Sequence, residues 1–165
     1  MLSDSAQETW STGPDGGYST AIVHTGPMTP DDLLGTWSVD ARYGPGAMED
    51  WLLYFRGDGQ GCFWYGNLMG AQAAVLDWRL TDGRLTTTTR RRFQTPSGHQ
   101  EPFRPGGHLQ LDLVEVVVTV GVESTPIHGQ LRVLRLPPGT LRWVEDAFGF
   151  EGPKPRAWMR PLFDS

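Results

Sequence analysis

The chain has 165 residues, a length that suits one domain with a sizeable core. It is mildly acidic, with 19 Asp and Glu against 14 Lys and Arg, so it lacks the positive field that attracts nucleic acid. Cys62 is the single cysteine, which excludes an intramolecular disulfide and a zinc site built on paired cysteines.

The amino terminus carries no recognisable targeting signal. Residues 1–17 are polar and lack the basic and apolar regions of a signal peptide, and no apolar run approaches the length of a bilayer span. The sequence therefore predicts a cytoplasmic protein with no membrane partner, either a monomer or a homodimer.

Two parts of the chain differ in composition. Residues 1–28 are rich in Ser, Thr, Gly and Asp and predict an irregular arm, whereas residues 29–165 predict the folded domain. At the start of that domain, Thr29 is a suitable cap and Pro30 a suitable first helical residue. A short helical turn that ends at Gly35 is expected here.

From Thr36 onward, short runs of β-branched and aromatic residues alternate with turn signals, which is typical of an all-β domain. The runs predict nine strands at Thr36–Arg42, Trp51–Arg56, Gly61–Tyr65, Ala74–Leu80, Arg84–Phe93, Val114–Val122, Gly129–Leu136, Leu141–Val144 and Arg156–Arg160.

Strict alternation in two of these runs predicts which side chains share a buried face. One run opposes Ala74, Leu76, Trp78 and Leu80 to Val75, Asp77 and Arg79, and the other opposes Val114, Val116, Val118, Val120 and Val122 to Glu115 and Glu123. Short strands in sequence favour an antiparallel up-and-down β-barrel of about eight or nine strands, since closure removes exposed edges. A β-sandwich is the alternative.

The connections differ in length at the two ends of such a barrel. Short turns are expected at 57–60, 81–83 and 124–128, and long loops at 43–50, 66–73 and 94–113. Long loops without secondary structure are usually functional or disordered. The pattern therefore predicts one closed end and one open end, where a ligand would enter.

Three segments resemble the lipocalin and wider calycin barrels, in particular lipocalin-like domains of bacteria. Leu33–Ser38 is similar to the Gly-x-Trp opening of those barrels, while 53–61 and 77–85 are similar to two of their hairpins. The resemblance covers Leu33 to about Phe93. It implies that Trp37 packs across the closed end and that an arginine near the last strand, Arg156 or Arg160, lies over its indole.

Aromatic side chains on the strands either line a pocket or form ordinary core. They are Trp51, Phe55, Phe63, Trp64, Tyr65, Trp78 and Trp143. If Trp37 points inward, alternation also places Val39, Ala41, Tyr43, Glu49 and Leu53 inside. The predicted ligand-binding residues are Tyr43, Glu49, Trp51, Leu53, Phe55, Phe63, Tyr65, Trp78 and Arg91.

Few residues offer reaction chemistry. Glu49, expected at the mouth, could act as a general acid or base or be a solvated loop acid, and Tyr65 could polarise a carbonyl. In the run 90–92 at least one arginine must point opposite to its neighbours, and an inward one would need an anionic partner. The alternative is that all three reach water at a frayed strand end.

No histidine spacing predicts a metal site, and no motif predicts a nucleophile, a phosphate-binding loop or a cofactor. The leading hypothesis is a barrel that binds a small, largely apolar molecule. One alternative is a cyclase-type enzyme of a bacterial natural-product pathway, which resembles this chain in size and would act mainly by holding its substrate in a reactive shape. The other is a protein-interaction module.

Overall fold

The computed structural model of this chain describes residues 7–12, 18–23, 27–43, 48–96, 102–125, 127–141 and 146–164, with the backbone alone in the first two ranges. Twelve strands run along it: β1 (Gln7–Thr12), β2 (Tyr18–Val23), β3 (Gly35–Ser38), β4 (Glu49–Phe55), β5 (Gln60–Asn67), β6 (Gly70–Thr81), β7 (Arg84–Thr95), β8 (Arg104–Pro105), β9 (Leu113–Val117), β10 (Thr119–Thr125), β11 (Gly129–Arg135) and β12 (Ala147–Gly152). The helices are α1 (Asp40–Tyr43) and α2 (Arg160–Asp164), with 3-10 turns at Pro30–Asp32 and Ala157–Met159.

All strands belong to one antiparallel sheet with the order β1-β2-β10-β11-β12-β3-β4-β5-β6-β7-β8, and β9 pairs with β7 beside this path. The prediction of an antiparallel, all-β fold is therefore confirmed. Closure into a barrel is not established by the pairing, because the edge strands β1 and β8 are not paired with each other in the described part of the chain.

The predicted helical turn is confirmed, and most predicted strands fall on observed ones. A 3-10 turn lies at Pro30–Asp32, where the side chains of Thr29 and Asp32 form a capping box. The first predicted strand is too long, because β3 ends at Ser38 and 40–43 form α1. Of the run Leu141–Val144, residues 142–145 lie outside the described residues.

The last predicted strand, Arg156–Arg160, is wrong, since that segment forms a 3-10 turn followed by α2. Buried Met159 and Leu162 are three positions apart, which places both on one face of a helix but on opposite faces of a strand. Pro161 lies in the first turn, where a helix tolerates its missing N–H.

The amino-terminal segment contains the two strands β1 and β2, where the composition predicts an irregular arm. They pair with each other, and β2 also pairs with β10 over three residues, Gly121–Glu123. The division of the chain near residue 28 stays a prediction.

The inner cluster of apolar side chains lies on one face of the sheet and draws on nearly every strand from β3 to β12. Its members include Leu33, Trp37, Leu53, Phe55, Phe63, Ala74, Leu76, Trp78, Leu80, Leu85, Leu113, Val120, Leu134 and Phe148. The predicted alternation of β6 is confirmed here, and so is the shared inward face of Trp51, Leu53 and Phe55.

The outer cluster lies on the opposite face, beneath the carboxyl-terminal segment. It comprises Leu52, Tyr54, Cys62, Trp64, Ala71, Ala73, Val75, Phe93, Met159 and Leu162. Strands β4 to β7 are therefore apolar on both faces, a pattern that follows from coverage by α2. Cys62 belongs here, and burial raises the pKa of its thiol to about 12, so it packs as a hydrophobe.

The long loop expected at 66–73 is wrong. Strands β5 and β6 continue until Asn67 pairs with Gly70, and only Leu68 and Met69 form the turn between them. The Asn67 side chain closes the turn by accepting a hydrogen bond from the Met69 N–H at 2.8 Å. One of the three long loops that the sequence predicts at the open end is therefore a two-residue turn.

Alternation also fails at the start of the valine-rich strand. Val114, expected on the buried face, is 81% exposed, whereas Leu113 is buried. Glu115 adopts a positive φ of 52°, and the β7–β9 register shifts between Leu85 and Thr87. Before this irregularity the odd-numbered Leu113 is buried, and after it the even-numbered Val118 and Val120 are buried, as the alternation predicts.

The indole of Trp37 lies in the inner cluster and donates its N–H to the carbonyl of Leu33 at 2.7 Å. The arginine over this ring is Arg132 of β11, with its guanidinium carbon 5.5 Å from the ring centroid. The expectation of Arg156 or Arg160 is wrong, because Arg156 lies instead against Trp64 and Asp50.

Among the described residues, none of the helices has the length and apolar character needed to cross a bilayer.

Candidate functional site

An open cleft of about 670 Å³ lies at one end of the inner cluster, and we call it the aromatic cleft. It is lined by Trp51, Phe63, His108, Leu109, Gln110, Leu111, Asp112, Leu113, Thr140 and Leu141. The strands supply two aromatic rings, and the segment after β8 supplies most of the wall. Such a cleft can hold a molecule of a few ring systems.

Trp51 and Phe63 form the floor of the cleft because alternation turns both side chains to the face that carries the inner cluster. Their ring centroids are 5.5 Å apart, and Trp51 also lies 4.3 Å from the ring of Tyr65. Next to them, Leu53, Phe55 and Leu76 are almost completely buried in the inner cluster. The cleft therefore lies against the edge of this buried cluster.

The threonine run of β7 holds the wall of the cleft. Thr87 Oγ1 donates to the carbonyl of Leu111 at 2.7 Å and accepts from the N–H of Leu113 at 3.1 Å. Thr89 Oγ1 accepts from the N–H of Leu111 at 3.0 Å. Threonine hydroxyls therefore supply the hydrogen bonds that backbone groups supply in a regular strand pair, and they fix the wall to β7.

Gln72 holds the other end of that wall. Its Oε1 accepts hydrogen bonds from the N–H groups of His108 at 2.8 Å and Leu109 at 3.0 Å. Gly107 permits this approach: its φ is +95°, and a Cβ there would lie 3.1 Å from the Gln72 oxygen. A residue with a Cβ at 107 would be strained at this φ and would crowd the Gln72 oxygen and the Phe93 carbonyl.

A second cavity of about 440 Å³, the polar pocket, lies beyond Gln72 and Tyr65. It is lined by Tyr65, Asn67, Met69, Gly70, Ala71, Gln72, Gln94, Thr95, Pro96 and Arg104. Its lining contains one arginine and no carboxylate. Thr95 is 3% exposed, and its hydroxyl has no hydrogen-bond partner among the described residues.

Tyr65 stands between the two cavities. Its hydroxyl accepts a hydrogen bond from the Asn67 amide at 2.8 Å and is also hydrogen-bonded to Glu49. Burial raises the pKa of Tyr65, the Asn67 bond lowers it, and Glu49 raises it further. The phenol is therefore protonated at neutral pH and can donate a hydrogen bond.

The structure brings some of the predicted site residues together and separates others. Trp51 and Phe63 line the cleft, and Tyr65 and Glu49 meet at its edge. The remainder lie elsewhere: Leu53, Phe55 and Trp78 within the filled core, Tyr43 exposed in α1, and Arg91 on the outer face. Of the aromatics considered, Trp64 lies in the outer cluster, and Trp143 is outside the described residues.

Arg91 and Arg92 of the run 90–92 point to opposite faces of the sheet, Arg91 to the outer face and Arg92 to the inner one. Arg91 pairs with Val75 of the outer cluster and donates to the carbonyl of Leu162 at 3.0 Å. The face it occupies is therefore the one covered by α2. Arg90 forms an ion pair with Asp77, and Arg92 donates to Gln110 at 2.8 Å.

A charged cluster lies apart from the cleft, where β3, β4 and the carboxyl-terminal segment meet. Buried Asp50 accepts hydrogen bonds from Ser38 at 3.0 Å and from Arg156 at 3.0 Å. Arg156 also pairs with Glu151. Burial, followed by the nearby Asp50, raises the pKa of Asp40.

Sequence reasoning missed Gln72, Thr87 and Arg104. The sequence predicts a loop at Gln72, and at Thr87 it predicts only a strand residue. The Thr-rich run 86–89 was a visible signal, because a hydroxyl on every second position can replace ladder hydrogen bonds. No comparable signal marked Gln72 or Arg104.

In the described part of the chain, no group of three His, Cys, Asp or Glu side chains is arranged to hold a metal ion. No protein-family model matches the chain, and neither the curated proteins nor the solved structures contain a significant match to it.

Proposed function

We propose that this protein binds a small, largely apolar molecule in the aromatic cleft. The observation that carries the proposal is the open cleft of about 670 Å³ beside the inner cluster. Two aromatic rings form its floor, and its walls combine leucines 109, 111, 113 and 141 with the polar residues 108, 110, 112 and 140. Binding there removes apolar surface from water, which favours ligands with aromatic or alicyclic bodies.

The wall is built to keep the cleft open. The described contacts give the backbone of 108–113 three hydrogen bonds from threonine side chains and two from Gln72. These bonds fix the backbone of 108–113 relative to the sheet and so position its leucines beside the cleft. A preformed pocket avoids the ordering cost that a collapsed one must overcome on binding.

We also propose that the sheet curls into the lipocalin-like barrel that the sequence resembles. Only Val118 separates β9, which pairs with β7, from β10, which pairs with β11. In the sheet order β11-β12-β3-β4-β5-β6-β7, β9 lies beside the last strand and β10 beside the first. The chain therefore passes directly from one end of this series of strands to the other. The shared inner cluster, to which strands along this whole run contribute, supports the same curvature.

The test uses N-phenyl-1-naphthylamine, a neutral probe whose fluorescence rises in apolar surroundings. We expect it to bind with one-to-one stoichiometry, and we expect Trp51→Ala to weaken binding about tenfold because one of the two floor rings is lost. Trp158→Ala is the matched control, since Trp158 packs on the outer face. An equal loss in both variants, or no binding by the unmodified protein, would refute a ligand site in the cleft.

The cyclase alternative has one supporting observation, the contact between Glu49 and Tyr65 at the edge of the cleft. It predicts that a flexible bound polyene leaves the protein as an isomer of unchanged mass but altered chromatographic retention. The binding proposal predicts that every ligand is recovered unaltered.

A further inference from the structure

The aromatic cleft and the polar pocket are joined by one row of directly opposed residues. Trp51 pairs with Tyr65, and Tyr65 pairs with Gln72. Gln72 pairs with Gln94, and Gln94 pairs with Arg104. Opposed residues in adjacent strands project to the same face, so all five side chains line one surface.

The row changes in character along its length. It begins with an indole, continues through a phenol and two amides, and ends in a guanidinium. Adjacent strands are about 4.8 Å apart, so the four steps from β4 to β8 span about 19 Å of backbone. A ligand that contacts both ends of the row therefore needs an apolar body and a polar group at its opposite ends.

The polar end presents hydrogen-bond donors. The Gln72 oxygen is occupied by the N–H groups of the cleft wall, which leaves its amide hydrogens for the pocket. Within the described residues, no Asp or Glu oxygen lies within ion-pair distance of Arg104. Glu49 is hydrogen-bonded to Tyr65 at the edge of the polar pocket but does not belong to its lining. A pocket with a guanidinium, amide hydrogens and no lining carboxylate favours an anion.

We infer that the natural ligand is an amphipathic carboxylate, with its apolar body in the aromatic cleft and its carboxylate in the polar pocket against Arg104. This inference rests on the proposed binding function and names the chemical class of ligand. A carboxylate matches the planar, forked donors of arginine and can accept from the glutamine amides at the same time.

The experiment compares three probes with one skeleton: 4-(1-pyrenyl)butanoate, the corresponding amide, and 4-(1-pyrenyl)butylamine. We expect the butanoate to bind about tenfold more tightly than the amide, and the amine to bind most weakly, because a charge-assisted hydrogen bond is worth about one decade in affinity. Arg104→Gln should lower the affinity of the butanoate to that of the amide, whereas Arg104→Lys should keep part of the difference.

Arg79→Gln is the matched control, because it removes an equal charge from an exposed arginine on the outward side of β6. Equal binding of butanoate and amide, tightest binding of the amine, or an equal loss for both ligands in Arg104→Gln would overturn the inference. Binding of N-phenyl-1-naphthylamine separates the two proposals. If that probe binds but the pyrenyl series shows no preference for the acid, only the carboxylate inference fails.

Discussion

The Thr87 side chain has a structural role that its residue type alone does not predict. Thr87 is 2% exposed, and its hydroxyl is both a donor to Leu111 and an acceptor from Leu113. This buried hydroxyl forms hydrogen bonds with two backbone groups and so fixes the irregular segment that precedes β9, which has no regular strand pairing of its own. The same contacts seat the wall of the aromatic cleft, so one side chain affects both stability and binding.

We predict that Thr87→Val lowers the free energy of unfolding by about 2–3 kcal/mol, since it keeps the side-chain shape but leaves a buried carbonyl and a buried N–H unpaired. Urea denaturation followed by tryptophan fluorescence measures the change. Thr88→Val is the control, because Thr88 is exposed. Equal effects of the two substitutions would show that the hydroxyl bonds do not hold the wall.

At the scale of elements, the decisive feature is the short helical segment at the carboxyl terminus. Met159 and Leu162 are buried against the outer face of β4 to β7, and Tyr54 meets Phe163 with ring centroids 6.0 Å apart. A strand in this place would turn half of these side chains to solvent. The helix therefore forms because an apolar sheet face is present to receive it, and not because of its own propensity.

We predict that Leu162→Ala lowers the free energy of unfolding by about 2 kcal/mol, the lower end of the range for a buried leucine, because a terminal helix can relax into the space. Binding of N-phenyl-1-naphthylamine in the cleft should be unchanged, since the two sites lie on opposite faces. Asp164→Ala, on the exposed side of the same helix, serves as the control. A fall in probe affinity would contradict the separation of the two faces.

At the scale of the whole molecule, one sheet separates two apolar clusters, and a charged cluster ties distant parts of the chain together. Asp50 in β4 bonds Ser38 in β3 and Arg156, 106 positions later. Asp40 lies beside this pair, and burial and the nearby Asp50 raise its pKa above the ordinary value of 3.8. Folding thus disfavours the charged form of Asp40.

The sign of the pH dependence follows from linkage. A raised pKa means that ionised Asp40 opposes folding at neutral pH, and that this penalty is relieved as the pH falls through the folded-state pKa toward 3.8. We therefore predict that Asp40→Asn raises the urea midpoint at pH 7 and that this gain disappears below pH 3.8. Asp164→Asn changes the net charge equally and should show no such crossover. A gain that persists in acid would exclude the charge as its cause.

The sequence alone determined the features that depend on local periodicity. Alternation in β4 and β6 identified the inward side chains, among them the floor residue Trp51, because a pleated strand turns every second residue to one face whatever surrounds it. Turn chemistry located the capped turn at Thr29 and most strand boundaries for the same local reason.

The tertiary structure alone decided what covers each face and which distant segments meet. The helix at 157–164 depends on an apolar outer face some hundred residues earlier in the chain, and the irregularity at Glu115 depends on how β9 meets β7. The row from Trp51 to Arg104 spans five strands, so no window of sequence contains it. Register between strands is set by packing over long separations, and local propensity carries no information about it.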